Sequence, residues 1–376
     1  MTTSTTSPPD PSTSTSTSTS TASTSTTTSP SPTITTRLLL LSDTHIRSRS
    51  KNPLPFPIPS TPVDIVIHAG DITDSSTLSE FRLCLSYLRQ LNAPLKLIIA
   101  GNHDYPLDLP VSSHIHTSTH SQRKRRPDIG DPEAISLLTS AAKDGIFYLQ
   151  EGTHTFTLSN NANLTVYASP ATPAFGSQGF QYTQQEGHVF DIPPEADIVI
   201  SHGPPRGILD VSRLTRASCG SVELWEAVKR TRPKLHVFGH IHEAWGAAVV
   251  KWKSEDDKNG NGEVESAKVL EDRRGVEEGW KDSKEERKRK EEKAEKIVKD
   301  GYYHLKYDRG EDAEQTLFVN AAVMYAPGYV PWLVDVELPR NDGDGKEKIT
   351  MADQSNGEAN TRPRECLSTN LQHLEL

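Results

Sequence analysis

The sequence predicts a layered α/β domain on three observations. Short, fully apolar runs recur along the chain. An amphipathic helical stretch separates the second run from the third. Several runs stop at a Ser, Gly, Asp or His. A run that is apolar at every position suits a strand buried on both faces. Strand, loop, helix, strand is the grammar of a mostly parallel sheet layer.

The elements follow in order. Leu38 to Leu41 form one such strand, ending at Ser42-Asp43, and Asp64 to His68 and Leu95 to Ala100 read the same way. Between the last two, Leu78, Phe81, Leu85 and Leu88 share one helical face, and Thr77 with Glu80 makes a capping box at its start. A second helix starts at Asp131-Pro132 and stops at Gly145. Ile146 to Leu149 and Leu164 to Ala168 are short alternating stretches in a turn-rich region, and Ile198 to Ser201 is another buried strand. Val222 to Arg232 is a helix ended by Pro233, with Lys229, Arg230 and Arg232 at its negative end. Leu235–Phe238, Ala247–Trp252, Thr316–Asn320 and Trp332–Leu338 complete the strands. This count accommodates two sheets or a single doubly wound one.

The 376 residues allow one large domain or two small ones, and a hydrophobic share of 34% is low enough that part of the chain is non-globular. Residues 1–36 are almost all Ser, Thr and Pro and cannot offset their ordering entropy, so they read as a disordered tail. The expected domain runs from 37 to 339, and 340–376 is a second polar tail. Residues 253–310 are dense in Lys, Glu, Asp and Arg and read as a solvated, partly helical insertion. A net charge of -9 gives no global basic field, which argues against nucleic acid as a partner. Protein partners remain open through the tail and the insertion. Cys84, Cys219 and Cys366 are odd in number and far apart, as expected of reduced thiols. The chain shows no apolar run of membrane-spanning length and no apolar stretch of the kind a secretory signal needs. The expectation is therefore a cytoplasmic protein.

Five segments put ligand-capable side chains just after apolar runs: LLLLSDTH, IVIHAGD, LIIAGNHD, DIVISHGPP and HVFGHIH. They supply Asp43, His45, Asp71, Asn102, His103, His202, His240 and His242. In open α/β sheets, sites form at the C-terminal ends of strands. Loops from distant sequence meet there. Singly each motif is weak: Gly70-Asp71 is a common turn, and paired histidines are often only satisfied hydrogen-bonding groups. Five in order favour a site for two divalent metals. Mixed carboxylate, amide and imidazole ligands suit Mn, Fe, Zn or Ni, and this many histidines argue against Ca or Mg. His68, inside a strand, reads as a packed core histidine. His114, His116 and His120 belong to a solvated Ser/Thr-rich loop, and nothing fixes a role for His188.

The order Asp-x-His, Gly-Asp, Gly-Asn-His-Asp, lone His, Gly-His-x-His resembles the calcineurin-like metallophosphoesterase superfamily. Ser42-Asp43-Thr44-His45-x-Arg47, Tyr167-Ala168-Ser169-Pro170, Ser201-His202-Gly203-Pro204-Pro205-x-Gly207 and Gly239-His240-Ile241-His242-Glu243 look like the metallophosphoesterase-domain group related to the brain 239 protein. The resemblance covers residues 37–252 and resumes at Phe318-Val319-Asn320-Ala321. It implies a two-sheet β sandwich flanked by helices, a four-layer metallophosphatase-type fold. It implies that Asp43, His45 and His242 hold one metal, that Asn102, His202 and His240 hold the other, and that Asp71 bridges both. A water bridging the pair would lose a proton and attack phosphorus. By the same resemblance His103 protonates the leaving oxygen or stabilises charge. Asp104 either orients that imidazole or caps the following turn. Arg47 is either a phosphate contact or a surface arginine. The implied activity is a phosphodiesterase on a small ester, with cyclic nucleotides as one class. The alternatives are a metal-bound scaffold with little catalysis and a protein phosphatase on the same fold.

Overall fold

The computed structural model describes residues 32–48, 54, 56–108, 130–176, 178–253, 263–309, 314–324 and 328–341. The expected tails therefore lie mostly outside the described residues, as do His114, His116, His120 and Cys366. The strands in chain order begin with β1 (Thr33–Leu41), β2 (Ile65–His68), β3 (Leu95–Ile98) and β4 (Ile146–Tyr148). There follow β5 (Gly152–Thr157), β6 (Asn163–Ser169), β7 (Thr172–Pro173), β8 (Gln181–Tyr182) and β9 (Ile198–Ser201). The last are β10 (Leu235–Phe238), β11 (Gly246–Trp252), β12 (Val264–Asp272), β13 (Tyr303–His304), β14 (Gln315–Asn320) and β15 (Trp332–Pro339). The helices are α1 (Leu78–Gln90), α2 (Pro132–Thr139), α3 (Val222–Thr231) and α4 (Lys284–Asp300).

Two large sheets form, in the orders β13-β15-β1-β2-β3-β4 and β12-β11-β14-β10-β9-β6-β5, and β7 pairs with β8 in a small third one. A single doubly wound sheet is thereby excluded, and the sandwich is the fold. Each sheet has a parallel centre, β1 to β4 in one and β6, β9, β10 and β14 in the other, with antiparallel neighbours outside. Alternation along each strand explains the layers, because successive side chains face opposite ways. In β9, Ile198 and Ile200 pack toward the first sheet, while Val199 joins a second core under α3. Leu317 and Val319 divide from Phe318 in the same way. That second core includes Leu224, Trp225 and Val228 of α3. On the far side, α1 lays Phe81, Cys84, Leu85 and Leu88 against the first sheet. The Thr77–Glu80 capping box is present.

Three features differ from expectation. β1 starts at Thr33 rather than Leu38, because Thr33 to Thr36 pair with Val336 to Pro339. β5, with Thr and His among its residues, carries no apolar run and is held by pairing with β6. The charged insertion is built into the domain. β12 extends the second sheet beside β11, and β13 extends the first beside β15. Val276, Ile297 and Leu305 enter the main core. Tyr303 packs on Trp245 and Trp332. The solvated reading holds for most of α4, where Ile297 is the one buried residue. No helix of the described residues is long and apolar enough to cross a membrane.

Ile297→Ala tests this integration. Loss of a buried aliphatic side chain should lower the unfolding free energy by about 2–4 kcal/mol. A helix lying free in solvent would lose under about 0.5 kcal/mol. Denaturant titration of the full chain distinguishes the two.

Candidate metal centre

The parallel strands of both sheets deliver their C-terminal ends to one edge. Asp43 and His45 follow β1, Asp71 follows β2, and Asn102 to Asp104 follow β3; His202 follows β9, and His240 and His242 follow β10. The edge is cross-braced. Ser42 N donates to Ala321 O at 2.8 Å, and His240 N donates to the Asp43 carboxylate at 2.9 Å. Asp43, His45, Asp71 and His240 all adopt positive φ, at 54°, 39°, 51° and 66°. Such conformations cost of order 1–3 kcal/mol each and collect at functional sites. Two glycines make the approach possible. A Cβ on Gly239 would overlap Asp43 Oδ2 and Ser42 Oγ, and one on Gly101 would overlap the Asp71 carboxylate.

The side chains gather into two clusters that share Asp71: Asp43, His45, Asp71 and His242 in one, and Asp71, His202 and His240 in the other. His242 Nε2 lies 3.1 Å from Asp43 Oδ1, and His45 Nε2 lies 3.2 Å from His242 Nε2. Asp71 divides its oxygens. Oδ2 faces His45 Nε2 at 3.4 Å, and Oδ1 faces His202 Nε2 at 3.3 Å. Asn102 Oδ1 joins the second cluster, 2.8 Å from His202 Nε2. All seven side chains expected to hold metal are thus brought together. His202 Nδ1 sits 2.9 Å from Ala69 O, so that carbonyl takes the Nδ1 proton and turns Nε2 toward the cluster.

The electrostatics fit a cation. Asp43 and Asp71 are fully buried, and among the described residues their ion pairs are with histidines alone. Burial alone would raise the Asp43 carboxyl, but the His242 imidazole outweighs it and holds Asp43 below the usual range. Asp71 is held well below its ordinary value, His202 overcoming burial there. Burial lowers His45 and His240 to about 4, which keeps them neutral, the form that binds metal. His202 shows the other side of the balance. Burial opposes its charge, yet Asp71 raises it to about 9. A divalent ion competes for the same lone pair that takes this proton.

Around the ligands, His103 N donates to Asp71 Oδ1 at 2.8 Å and fixes that carboxylate. The His103 ring packs edge-on to His45 at 4.6 Å, and its Nδ1 meets Asp74 O at 3.2 Å. Asp104 corrects an expectation. Its carboxylate accepts from Gly101 N, Ile72 N, Thr73 N and Thr73 Oγ1 at 2.8–3.0 Å, so it pins the β2 loop to the β3 loop. The ring's orienting partner is the Asp74 carbonyl instead. Burial, then the Asp71 charge, raises Asp104 to about 6. Arg47 is 56% exposed and pairs with Asp74 Oδ1 at 3.0 Å. Two residues carry contacts that sequence reasoning missed: Asp74, and Gln178, which bonds both Asn102 and His103. His68 is a buried core residue bonded to Thr44 Oγ1, and His188 pairs with Glu151 at 2.6 Å.

Gly239→Ala tests the close approach. The added methyl should displace Asp43 and cut bound metal at least about tenfold, since supporting contacts of this kind carry 10–100-fold in affinity. Equilibrium dialysis and elemental analysis read the loss directly.

The calcineurin-like phosphoesterase family model matches residues 36–244. Metallophosphoesterase domain-containing protein 1 of Homo sapiens is 34% identical over 191 residues, 49% of this chain and 55% of that protein. Its Mus musculus counterpart gives the same figures. A probable rhamnogalacturonate lyase C of Emericella nidulans is 34% identical over 192 residues, 50% of this chain. The chain spans 16% of that lyase and about half of the other two. The family's matched segment contains all five ligand-bearing loops, and the chain belongs to the calcineurin-like phosphoesterase family.

Proposed function

We propose that the protein is a dinuclear-metal phosphoesterase, and that it cleaves a small phosphodiester. The division of Asp71 between two ligand clusters carries this reading. With one oxygen in each cluster, Asp71 would serve both of two divalent ions, with Asp43, His45 and His242 holding one and Asn102, His202 and His240 the other. Bound there, divalent ions supply Lewis-acid stabilisation of phosphoryl oxygens and acidify water.

The chain's own groups do the rest. Asp71 is held by His103 N, so its two oxygens keep their assignment. The Asp74 carbonyl takes the His103 Nδ1 proton and leaves Nε2 as the atom that exchanges a proton with a substrate oxygen. Arg47 is exposed and held by one ion pair, so its guanidinium can turn to a phosphate oxygen. Exposed Phe175 and Leu214 lie on segments bordering the site: Phe175 O accepts from Gln181 near Gln178, and Arg213 N donates to Glu243 beside His242. Apolar groups there suit an ester with an aromatic or nucleobase part. Cyclic nucleotides are the first class to assay.

Metal-loaded protein should hydrolyse an aryl phosphodiester, and a chelator should abolish the rate. Asp71→Asn should lose metal and activity together. His103→Asn should keep metal near the unsubstituted level while kcat falls about 10²–10⁴-fold. Absence of turnover on aryl phosphomonoesters, aryl phosphodiesters and cyclic nucleotides alike would sink the proposal.

A further inference from the structure

The segment between β7 and β8 is strapped across the Asn102 loop. Gly179 N donates to Asn102 O at 3.0 Å, and Phe180 N donates to Asp108 Oδ2 at 3.0 Å. Gln178 is thereby held beside two functional side chains. Its Oε1 accepts from Asn102 Nδ2 at 2.6 Å, and its Nε2 lies 3.4 Å from His103 Nε2.

These contacts set a single direction of hydrogen bonding. Asp74 O takes the proton of His103 Nδ1, so His103 Nε2 is an acceptor. Gln178 Nε2 donates to it, and Gln178 Oε1 is then free to accept from Asn102 Nδ2. Asn102 Oδ1 is left pointing at His202 Nε2, inside the second ligand cluster. An amide has two nearly isosteric orientations, and only one presents an oxygen to a cation. Asn102 Nδ2 has Gln178 as its acceptor, so the orientation of Asn102 depends on Gln178.

We infer that Gln178 is a positioning residue that locks Asn102 with its oxygen toward the second metal site and links that site to His103. A partner to a ligand's free end raises affinity by fixing geometry, typically about 10–100-fold. The donor to His103 Nε2 holds the ring plane, and a substrate oxygen would take the place of that donor when it meets the ring. The part that concerns Asn102 is independent of catalysis. The part that concerns His103 rests on the hydrolytic reading.

The test is manganese binding by calorimetry on the full chain, with Gln178→Leu made alone and together with Asn102→Asp. A carboxylate at 102 has two equivalent oxygens and needs no amide partner. Gln178→Leu should weaken manganese about tenfold in the unsubstituted background, and less than about twofold in the Asn102→Asp background. Equal weakening in both backgrounds, or none in either, overturns the role. At saturating manganese, Gln178→Leu should lower kcat about tenfold with KM within about twofold. An unchanged kcat removes the link to His103. Should the unsubstituted protein hydrolyse no phosphoester while the manganese pattern holds, the Asn102 role stands and the hydrolytic reading fails.

Discussion

Two buried carboxylates that, among the described residues, pair only with imidazoles set the terms for this structure. They are Asp43 and Asp71, buried at the same edge of the two sheets. Isolated buried charge is expensive, by several kcal/mol even after relaxation. The neighbourhood can meet that cost with protons on histidine or with cations. Burial keeps His45 and His240 neutral, while the carboxylates raise His202 and His242 above their ordinary value against burial, so protons can supply the compensation. Divalent ions at the same atoms would displace those protons and neutralise the carboxylates in their place.

The backbone is shaped around that requirement. Four residues of the two clusters sit at positive φ, and two glycines leave room where a methyl group would strike a carboxylate. Strain of this kind persists only if the surroundings over-determine it. Here they do. Ser42 is tied to Ala321, Asp43 N to Gly70 O, and Gly239 N to His202 O, so the loops of the two sheets hold one another. Asp104 adds three hydrogen bonds from the β3 loop to the β2 loop and a fourth within its own loop. It is a structural carboxylate beside the site rather than the partner of His103.

The insertion shows the same economy of attachment at lower density. Its helix α4 is charged nearly all round, and such a helix has little apolar surface with which to dock. Docking instead comes from its flanks. β12 completes an antiparallel ladder, Tyr303 packs edge-on to Trp245 and tilted against Trp332, and Glu277 accepts from Tyr329, Arg213 and Arg273. Arg213 belongs to the loop whose backbone binds Glu243, next to the ligand His242. A segment outside the matched family residues thus touches the rim of the site.

What could be read in advance follows from how each residue acts. The clustering of these carboxylates and imidazoles was legible because they follow buried strands at fixed offsets, and an apolar run ending in Asp or His is a local pattern. The parallel centres were legible for the same reason. The edge strands β5, β12 and β13 were not, since an edge strand faces solvent on one side and owes its existence to a neighbour. Asp74 and Gln178 were not legible either. Asp74 works through its carbonyl, which every residue has, and its carboxylate matters only because Arg47 is near. Gln178 works through an amide in a loop without periodicity, and it reaches Asn102 across 76 positions of sequence. Residues that bind a metal must be particular chemical types, so sequence marks them. Residues that aim those ligands need only a donor or acceptor in the right place, and folding alone decides which side chain that is.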